Sequence, residues 1–209
     1  MSEKPARRSR REERKEETRR ELVGSAAKMF ARRGFHGASL DEIAREAGYS
    51  TGAVYWHFKG KDDLFLAVFE AYASGRVADI AAVREAATGE LPQRQRAYAD
   101  NWMARLASDP EIVILVLEFA AHAWRNPHLQ KELAERLSAV RVALGRFLAE
   151  DARDAGVSLP LPAEDVATAL REMGVGIALA KLADPRISDR LFGDFVESYF
   201  ELLGKRRKP

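Results

Sequence analysis

The sequence predicts an all-α protein of about nine helices. Apolar residues recur about every three to four positions along most of the chain, and no segment alternates polar and apolar residues as a strand does. Several segments begin at Asp109-Pro110, Asn126-Pro127 and Pro162, where proline in the first helical turn sacrifices no hydrogen bond. With 209 residues, 46% hydrophobic, the chain can bury an apolar core by packing alone.

Charge is unevenly distributed along the chain. Residues 1–61 contain 15 Lys and Arg against 9 Asp and Glu, whereas the remaining residues contain 19 against 23. A basic segment joined to an acidic one indicates a polyanionic partner for the first and a different partner for the second. A solvated basic tail would produce the same imbalance, so charge alone does not identify the partner.

Composition argues against several classes of function. The chain has no cysteine, which excludes disulfides, thiolate metal sites and cysteine nucleophiles. We expect a cytoplasmic protein, because neither a signal peptide nor a long apolar segment is present. His122 and His128 are six residues apart, which is not the spacing of a helical metal pair, so we expect no metal. Without a glycine-rich phosphate loop or a nucleophile elbow, we expect neither a cofactor nor an enzyme.

The predicted elements divide the chain into four parts. Residues 1–16 are charged without an apolar face, so they form either a disordered arm or a frayed helical extension that can contact phosphates. A first helix begins at Thr18 and stops at Gly34, and a long helix begins at about Asp62. The predicted parts are a basic arm (1–16), a domain of three helices (17–61), a larger helical domain (62–204) and a basic tail (205–209).

Two short helices follow the first one. Ser39 and Glu42 have the spacing of a capping box, and Gly48 ends that helix after about two turns. Ser50 can cap the next helix, which covers residues 51–58. Two short helices at a tight glycine turn form a minimal helix-turn-helix, whose second helix enters the major groove. Many helical proteins contain such turns as ordinary packing, so the turn alone is ambiguous.

Three runs of sequence resolve that ambiguity. They are AAKMFARRGF at 26–35, SLDEIA at 39–44 and STGAVYWHFKGKDDL at 50–64. Residues 18–70, which contain all three runs, closely resemble the TetR/AcrR family of regulators. The resemblance implies an N-terminal three-helix DNA-binding domain, a C-terminal ligand-binding and dimerisation domain, and a phosphate contact at Ser39.

The residues of the third short helix suit contact with DNA. Small residues at its start allow close approach to base edges, and lysines at its end can neutralise phosphates. Trp56 either stacks beneath the helix or faces the phosphates, and His57 either bonds a backbone carbonyl or donates to DNA. Val54 and Phe58 are expected in the core. The predicted DNA-binding residues are Ser39, Thr51, Gly52, Ala53, Tyr55, Trp56, His57, Lys59 and Lys61.

Large aromatic side chains lie near polar ones in residues 92–154, as in a mostly apolar ligand pocket. The candidate ligand-binding residues are Trp102, Met103, Phe119, His122 and Trp124. Residues of these types at helical spacing also form ordinary core, and the sequence leaves both possibilities open. The run at 112–117 is apolar on all sides, which predicts a helix buried by its neighbours all round.

The last two predicted helices have broad apolar faces, and glycines at 174 and 176 would let another helix approach closely. The resemblance implies that this pair builds a two-fold four-helix interface in a homodimer. The candidate interface residues are Leu170, Gly174, Ile177, Ala178, Leu191, Phe195, Tyr199 and Leu202. Alternatively, these faces cover their own domain.

Taken together, the sequence predicts a homodimeric transcriptional regulator, most simply a repressor. We expect it to bind a palindromic operator on double-stranded DNA and to be released by a small, mainly hydrophobic effector. The alternative is an architectural DNA-binding protein without an effector, which would bind many sequences equally well.

Overall fold

The computed structural model describes residues 10–205, apart from the side chain of Ile112. Within that range the chain is all-α, as predicted, with nine helices and no strand. The helices are α1 (Arg10–Gly37), α2 (Leu40–Glu46), α3 (Thr51–His57), α4 (Lys61–Ala86), α5 (Leu91–Ser108), α6 (Glu111–Arg125), α7 (Pro127–Asp154), α8 (Ala163–Ala183) and α9 (Leu191–Lys205). None of these helices is both long and apolar enough to cross a membrane.

Helix α1 begins earlier than the sequence predicted, at Arg10 rather than at Thr18. Residues 10–16 of the predicted arm are therefore exposed turns of a helix, whereas residues 1–9 of the arm and residues 206–209 of the basic tail lie outside the described residues. The helix end expected at Gly34 is a kink: this residue has φ 69° and ψ 170°, and α1 continues past it to Gly37. That φ favours glycine, which has no Cβ to clash.

The chain folds into two compact units, which part at residues 71 and 72 within α4. The first unit has an aromatic core in which the ring centroid of Phe65 lies 4.9 Å from that of Phe30 and 4.8 Å from that of Phe35. The first turns of α4 thus belong to this core, which explains why the units part later than the boundary drawn at residues 61 and 62. The functions assigned to the two segments stay predictions.

The second unit packs α5 against α9 and α7 against α8 around one apolar core. The prediction that residues 112–117 are buried all round is wrong, because α6 is exposed on one side. Val113 and Leu115 are buried, but Ile114 and Leu117 are each 38% exposed. The reason is geometric: α5, α7 and α8 contact α6 but cover only part of its circumference. An apolar run fixes neither the number of neighbours nor their positions.

Candidate nucleic-acid interface

The start of α2 is fixed by the capping box that the sequence predicted. The Ser39 hydroxyl donates to Oε2 of Glu42 at 2.8 Å, and the Glu42 backbone N–H donates to the Ser39 Oγ at 3.2 Å. Arg33 also donates to Glu42, at 2.7 Å. The bond from Ser39, followed by that from Arg33, lowers the pKa of Glu42. The Ser39 hydroxyl is therefore already committed to the cap, and a phosphate would have to share it.

The turn between α2 and α3 is braced on both sides. Gly48 adopts φ 79°, which suits glycine, and the Tyr49 N–H donates to the carbonyl oxygen of Ala44 at 2.8 Å. The Thr51 hydroxyl donates to Oδ1 of Asp41 at 2.6 Å, linking the first turns of the two helices. Thr51 was predicted to contact DNA. Its hydroxyl must release the bond to Asp41 before it can donate to a phosphate.

Helix α3 presents one exposed face and buries the other. Val54 and Phe58 are buried, as predicted. The exposed residues follow the helical repeat, and we call Gly52, Tyr55, Trp56 and Lys59 the α3 face. Tyr55 is 60% and Trp56 61% exposed. The sequence left open whether Trp56 stacks beneath the helix, and its exposure places it on the outer side. Ala53 is half-buried at the edge of this face.

His57 is half-buried beside the α3 face. Its ring lies edge-on to that of Trp56, with centroids 4.6 Å apart. Burial lowers the pKa of His57 below its usual value of 6.5, and the positive charges of Lys15 and Arg19 lower it further. The imidazole is therefore neutral near neutral pH, which leaves it one N–H to donate.

The two lysines that the sequence assigned to phosphates differ in placement. The Lys59 side chain is exposed. In contrast, Nζ of Lys61 lies 4.5 Å from the Phe35 ring centroid and donates to the carbonyl of His36 at 3.4 Å. Burial lowers the pKa of Lys61. Lys61 is thus turned toward its own unit and reaches a phosphate only after a change of rotamer.

Sequence reasoning missed two cations of α1 that lie close to α3. Nζ of Lys15 is 4.8 Å from the Trp56 ring centroid, and the guanidinium carbon of Arg19 is 5.3 Å from that of Phe58. Their spacing, four residues apart on one helix, places both on one face of α1. The signal was present in the sequence, but Lys15 fell within the segment treated as an arm and Arg19 within the core-forming helix.

The candidate ligand-binding residues are only partly brought together. Trp102 and Met103 are buried side by side in the core of the second unit, at 6% and 5% exposure. Phe119 is buried and His122 half-buried on α6. Trp124, however, is 80% exposed. The concentration of large aromatic side chains near polar ones suggested a pocket, but α6 turns this ring outward.

Trp102 is surrounded by polar groups that the sequence analysis did not single out. The guanidinium carbon of Arg76 lies 4.4 Å from its ring centroid, and Arg105 donates to Asp79 at 2.5 Å. Among the described residues, four buried polar atoms of this region form no hydrogen bond: Nη1 of Arg76, Oδ1 of Asn101, Nε1 of Trp102 and Nε of Arg105. Each unsatisfied buried group of this kind costs about 1–3 kcal/mol.

The candidate dimer residues fall into two groups. A Cβ at Gly174 would lie 2.9 Å from the Trp102 ring and 3.0 Å from that of Phe192, so this glycine serves packing within the chain. Ala178 is buried, and Leu170, Ile177 and Tyr199 pack against the same core. These five residues pack within their own domain, which is the alternative that the sequence left open. The exposed apolar residues of α8 and α9 are Leu179, Leu182, Leu191, Phe195 and Leu202, of which the first two were not predicted.

The known proteins to which this chain is similar are bacterial transcriptional regulators. A model of bacterial regulatory proteins, tetR family, matches residues 22–68. The HTH-type transcriptional regulator AcrR of Shigella flexneri is 35% identical over 108 residues, which are 49% of this chain and 41% of that protein. The HTH-type transcriptional activator FasR of Mycolicibacterium smegmatis is 37% identical over 106 residues, 50% of this chain and 47% of that protein. The chain matches less than half the length of these curated relatives.

A solved structure extends the similarity of fold to most of the chain. The transcriptional regulator FadR from Bacillus subtilis, in complex with stearoyl-CoA, has a TM-score of 0.71 and covers 88% of this chain and 96% of its own. Its sequence identity is 18%, so this similarity concerns the fold alone. The family model covers α2, α3 and the core of the first unit, which are the elements that form the α3 face. Residues 22–68 therefore carry the domain that characterises bacterial regulatory proteins of the tetR family.

Proposed function

We propose that this chain is a transcriptional regulator that binds double-stranded DNA through the α3 face. The observation that carries the proposal is the exposure of Tyr55 and Trp56 on a seven-residue helix whose opposite side is locked in the core. Exposing two large aromatic rings to water is unfavourable unless a partner covers them. A short helix presented by a helix-turn-helix fits the major groove of B-DNA.

Charge around the α3 face supports a polyanionic partner. Lys59 extends from its end, and Lys15 and Arg19 flank it from α1. Cations at the edge of a recognition helix bind phosphates and fix its register, whereas the groups at its centre contact bases. Gly52 leaves the front of the helix free of a side chain, which permits close approach to the groove.

We further propose that the chain acts as a homodimer. The exposed leucines of α8 and α9, together with Phe195, form an apolar surface that a second copy would cover. A two-fold dimer would bind two half-sites about 34 Å apart, one helical turn of DNA, so the operator should be palindromic.

The second unit is the proposed effector domain. The fold is shared with a FadR whose structure contains stearoyl-CoA, a ligand with a long apolar acyl chain. The effector proposed here is a small, mainly hydrophobic molecule. We favour a repressor released by its effector, although one relative, FasR, is named an activator. A difference of about 1–3 kcal/mol in effector affinity between two conformations would weaken operator binding about 5- to 150-fold.

The proposal is tested by footprinting the DNA upstream of the chain's own gene at low salt, where phosphate contacts are preserved. We expect protection of one or two palindromic sites, with a loss of about 1–3 kcal/mol for each mismatched base pair. Equal binding to unrelated sequences would instead favour the architectural alternative. Turnover of a substrate by the purified chain would contradict the proposed class altogether.

A further inference from the structure

The core of the second unit contains a polar cluster at the meeting point of α4, α5 and α8. Tyr72, Arg76 and Asp79 are spaced four and three residues apart, so they share one face of α4. Arg105 reaches them from α5 through its ion pair with Asp79. On α8, Arg171 lies close enough to influence the Tyr72 hydroxyl electrostatically. Three helices thus converge on one set of charged groups.

Positive charge exceeds negative charge in this cluster. A single carboxylate, that of Asp79, serves two guanidinium groups: it lies 2.5 Å from Nη1 of Arg105 and 3.7 Å from Nη1 of Arg76. Arg171 pairs with Glu172, whose side chain is 55% exposed. The Arg76 side chain is only 14% exposed, so water screens its charge poorly. One further negative charge would balance the cluster.

Unsatisfied hydrogen-bond donors point to the same missing group. Nε1 of Trp102, Nε of Arg105 and Nη1 of Arg76 are buried and donate to no atom of the described residues. Trp102 itself is 6% exposed, and the Arg76 guanidinium lies over its ring. All three atoms are donors, whereas Oδ1 of Asn101 is the one unsatisfied acceptor of this region among the described residues. An anion, which has several lone pairs, is the kind of group that can accept from such donors.

A polar network of purely structural function looks different in this same unit. The carboxylate of Asp151 is fully buried and accepts from Arg84 at 3.0 Å, from Gln95 at 2.9 Å and from Tyr98 at 2.9 Å. Both of its oxygens are used. The Trp102 cluster also contains a carboxylate, that of Asp79, but three of its buried donors still have no acceptor among the described residues.

The surroundings of the cluster are apolar. Met103 and Leu106 are buried beside Trp102, and Leu170 and Met173 of α8 pack against the same core. A ligand with its charged group at the arginines would therefore place its remaining atoms among hydrocarbon side chains. This combination favours an organic acid over an inorganic anion.

We propose that the cluster around Trp102 binds an organic monocarboxylate, whose oxygens accept from Arg76, Trp102 and Arg105 and whose apolar body lies along Met103 and Leu106. Arg171 adds positive charge at the α8 side. This inference names a ligand for the proposed effector domain. Only its regulatory consequence rests on the proposed function, because binding of the acid can be measured without DNA.

The test is calorimetric titration of the full chain with monocarboxylates from butanoate to dodecanoate and with benzoate, each beside its primary amide. We expect at least one acid to bind at least tenfold more tightly than its amide. Inorganic phosphate is titrated alone. If phosphate binds as tightly as every acid, or if no acid exceeds its amide, the proposal is wrong.

Variants locate the site. Arg76→Gln and Arg171→Gln should each weaken the preferred acid at least tenfold and leave its amide unchanged, whereas Arg76→Lys should retain part of the preference. The matched control is Arg153→Gln on α7, whose side chain is 75% exposed and which should change nothing. Arg171 is 28% exposed, so its variant remains decisive if Arg76→Gln does not fold. Unchanged binding of the acid by Arg171→Gln and by any folded Arg76 variant would overturn the assignment.

Operator binding separates this inference from the proposed function. If an acid binds through these arginines but leaves operator affinity unchanged, the proposed carboxylate site is correct and the proposed effector response is wrong. If the chain binds its operator but no acid, the DNA-binding function stands and the site fails.

Discussion

Asp151 of α7 accepts a 3.0 Å hydrogen bond from Nε of Arg84, the basic residue in the last turn of α4. Its other carboxylate oxygen accepts from Gln95 and Tyr98 of α5, so one side chain ties three helices of the second unit. Burial, together with this bond to the carboxylate, raises the pKa of Tyr98, which keeps the phenol protonated as a donor. The C-terminal end of α4 is thus held to α7 by an ion pair with a fully buried carboxylate.

Replacing Asp151 should be costly. Asp151→Ala leaves Nε of Arg84 and two neutral donors without their acceptor, while Nη1 of Arg84 keeps its ion pair with Glu150. We expect a loss of about 1–3 kcal/mol in the free energy of unfolding. Urea denaturation measures it. The control Asp154→Ala, three residues later and 56% exposed, should change stability by less than about 0.5 kcal/mol. A loss no greater than that of the control would mean that the network contributes little.

Substitutions on the α3 face should separate DNA affinity from stability. Tyr55→Ala removes an exposed ring, so we expect at least about tenfold weaker operator binding with little change in unfolding temperature. Gly52→Ala is a stricter test. The helix should tolerate the added Cβ, which would lie 3.7 Å from the Ser50 Oγ. The methyl group should weaken operator binding, because it opposes close approach to the groove. If both variants bind the operator normally in a mobility-shift assay, the α3 face is not the contact surface.

Lowering the pH should destabilise the first unit through His57. Its pKa is lowered in the folded protein, so the unfolded chain takes up the proton first as pH falls. The stability it contributes is therefore present above about pH 6.5 and is lost as pH falls through its folded pKa. His57→Gln should flatten the decline in unfolding temperature between about pH 7 and about pH 5. The matched variant His128→Gln, whose side chain is 82% exposed, should retain that decline.

The proposed dimer surface can be tested with two residues of equal exposure. Phe195 on α9 and Val142 on α7 are each 48% exposed. Phe195→Glu should convert the chain to a monomer in sedimentation experiments and weaken operator binding, because a buried charge without a partner opposes association. Val142→Glu should leave the oligomeric state unchanged. Dimers that persist in the first variant and dissociate in the second would place the interface elsewhere.

Gly145 should be intolerant of even a methyl group. A Cβ at this position of α7 would lie 2.5 Å from the Cγ and 2.7 Å from the Cα of Glu164 on α8. Because backbone cannot move aside cheaply, Gly145→Ala should lower the free energy of unfolding by about 1–3 kcal/mol, despite the better helix propensity of alanine. Gly24→Ala, in open space on α1, should raise it by up to about 1 kcal/mol. Equal effects in calorimetry would contradict this account.

Features that depend on nearby residues were predictable from the sequence. The Ser39 and Glu42 capping box is present as predicted. The third helix, predicted over 51–58, ends at His57, and the helix end predicted at Gly34 is a kink with α1 continuing to Gly37. All three features arise from interactions across a few positions. The exposed stripe of α3 follows from the helical repeat in the same way. Local chemistry therefore sufficed for the exposed face of α3, but not for the rotamers of the lysines or for Lys15 and Arg19 of α1 beside it.

Features that depend on distant partners were not predictable in this way. Gly174 was expected to face a second helix of another copy, but its neighbours are Trp102 and Phe192 of the same chain. Trp124 and the exposed side of α6 depend on which helices happen to pack nearby. The cluster around Trp102 joins Arg76 and Arg171, which are far apart in sequence and have no shared pattern. Only the tertiary packing brings such groups together.

The three tryptophans lie in three different environments, and this arrangement has a spectroscopic consequence. Trp56 is 61% exposed beside the α3 face, Trp102 is 6% exposed in the core of the second unit, and Trp124 is 80% exposed on α6. An aqueous quencher such as iodide reaches the first and third indoles and spares the second. Emission that survives the quencher therefore originates from Trp102, so the chain carries an intrinsic optical probe of its own interior.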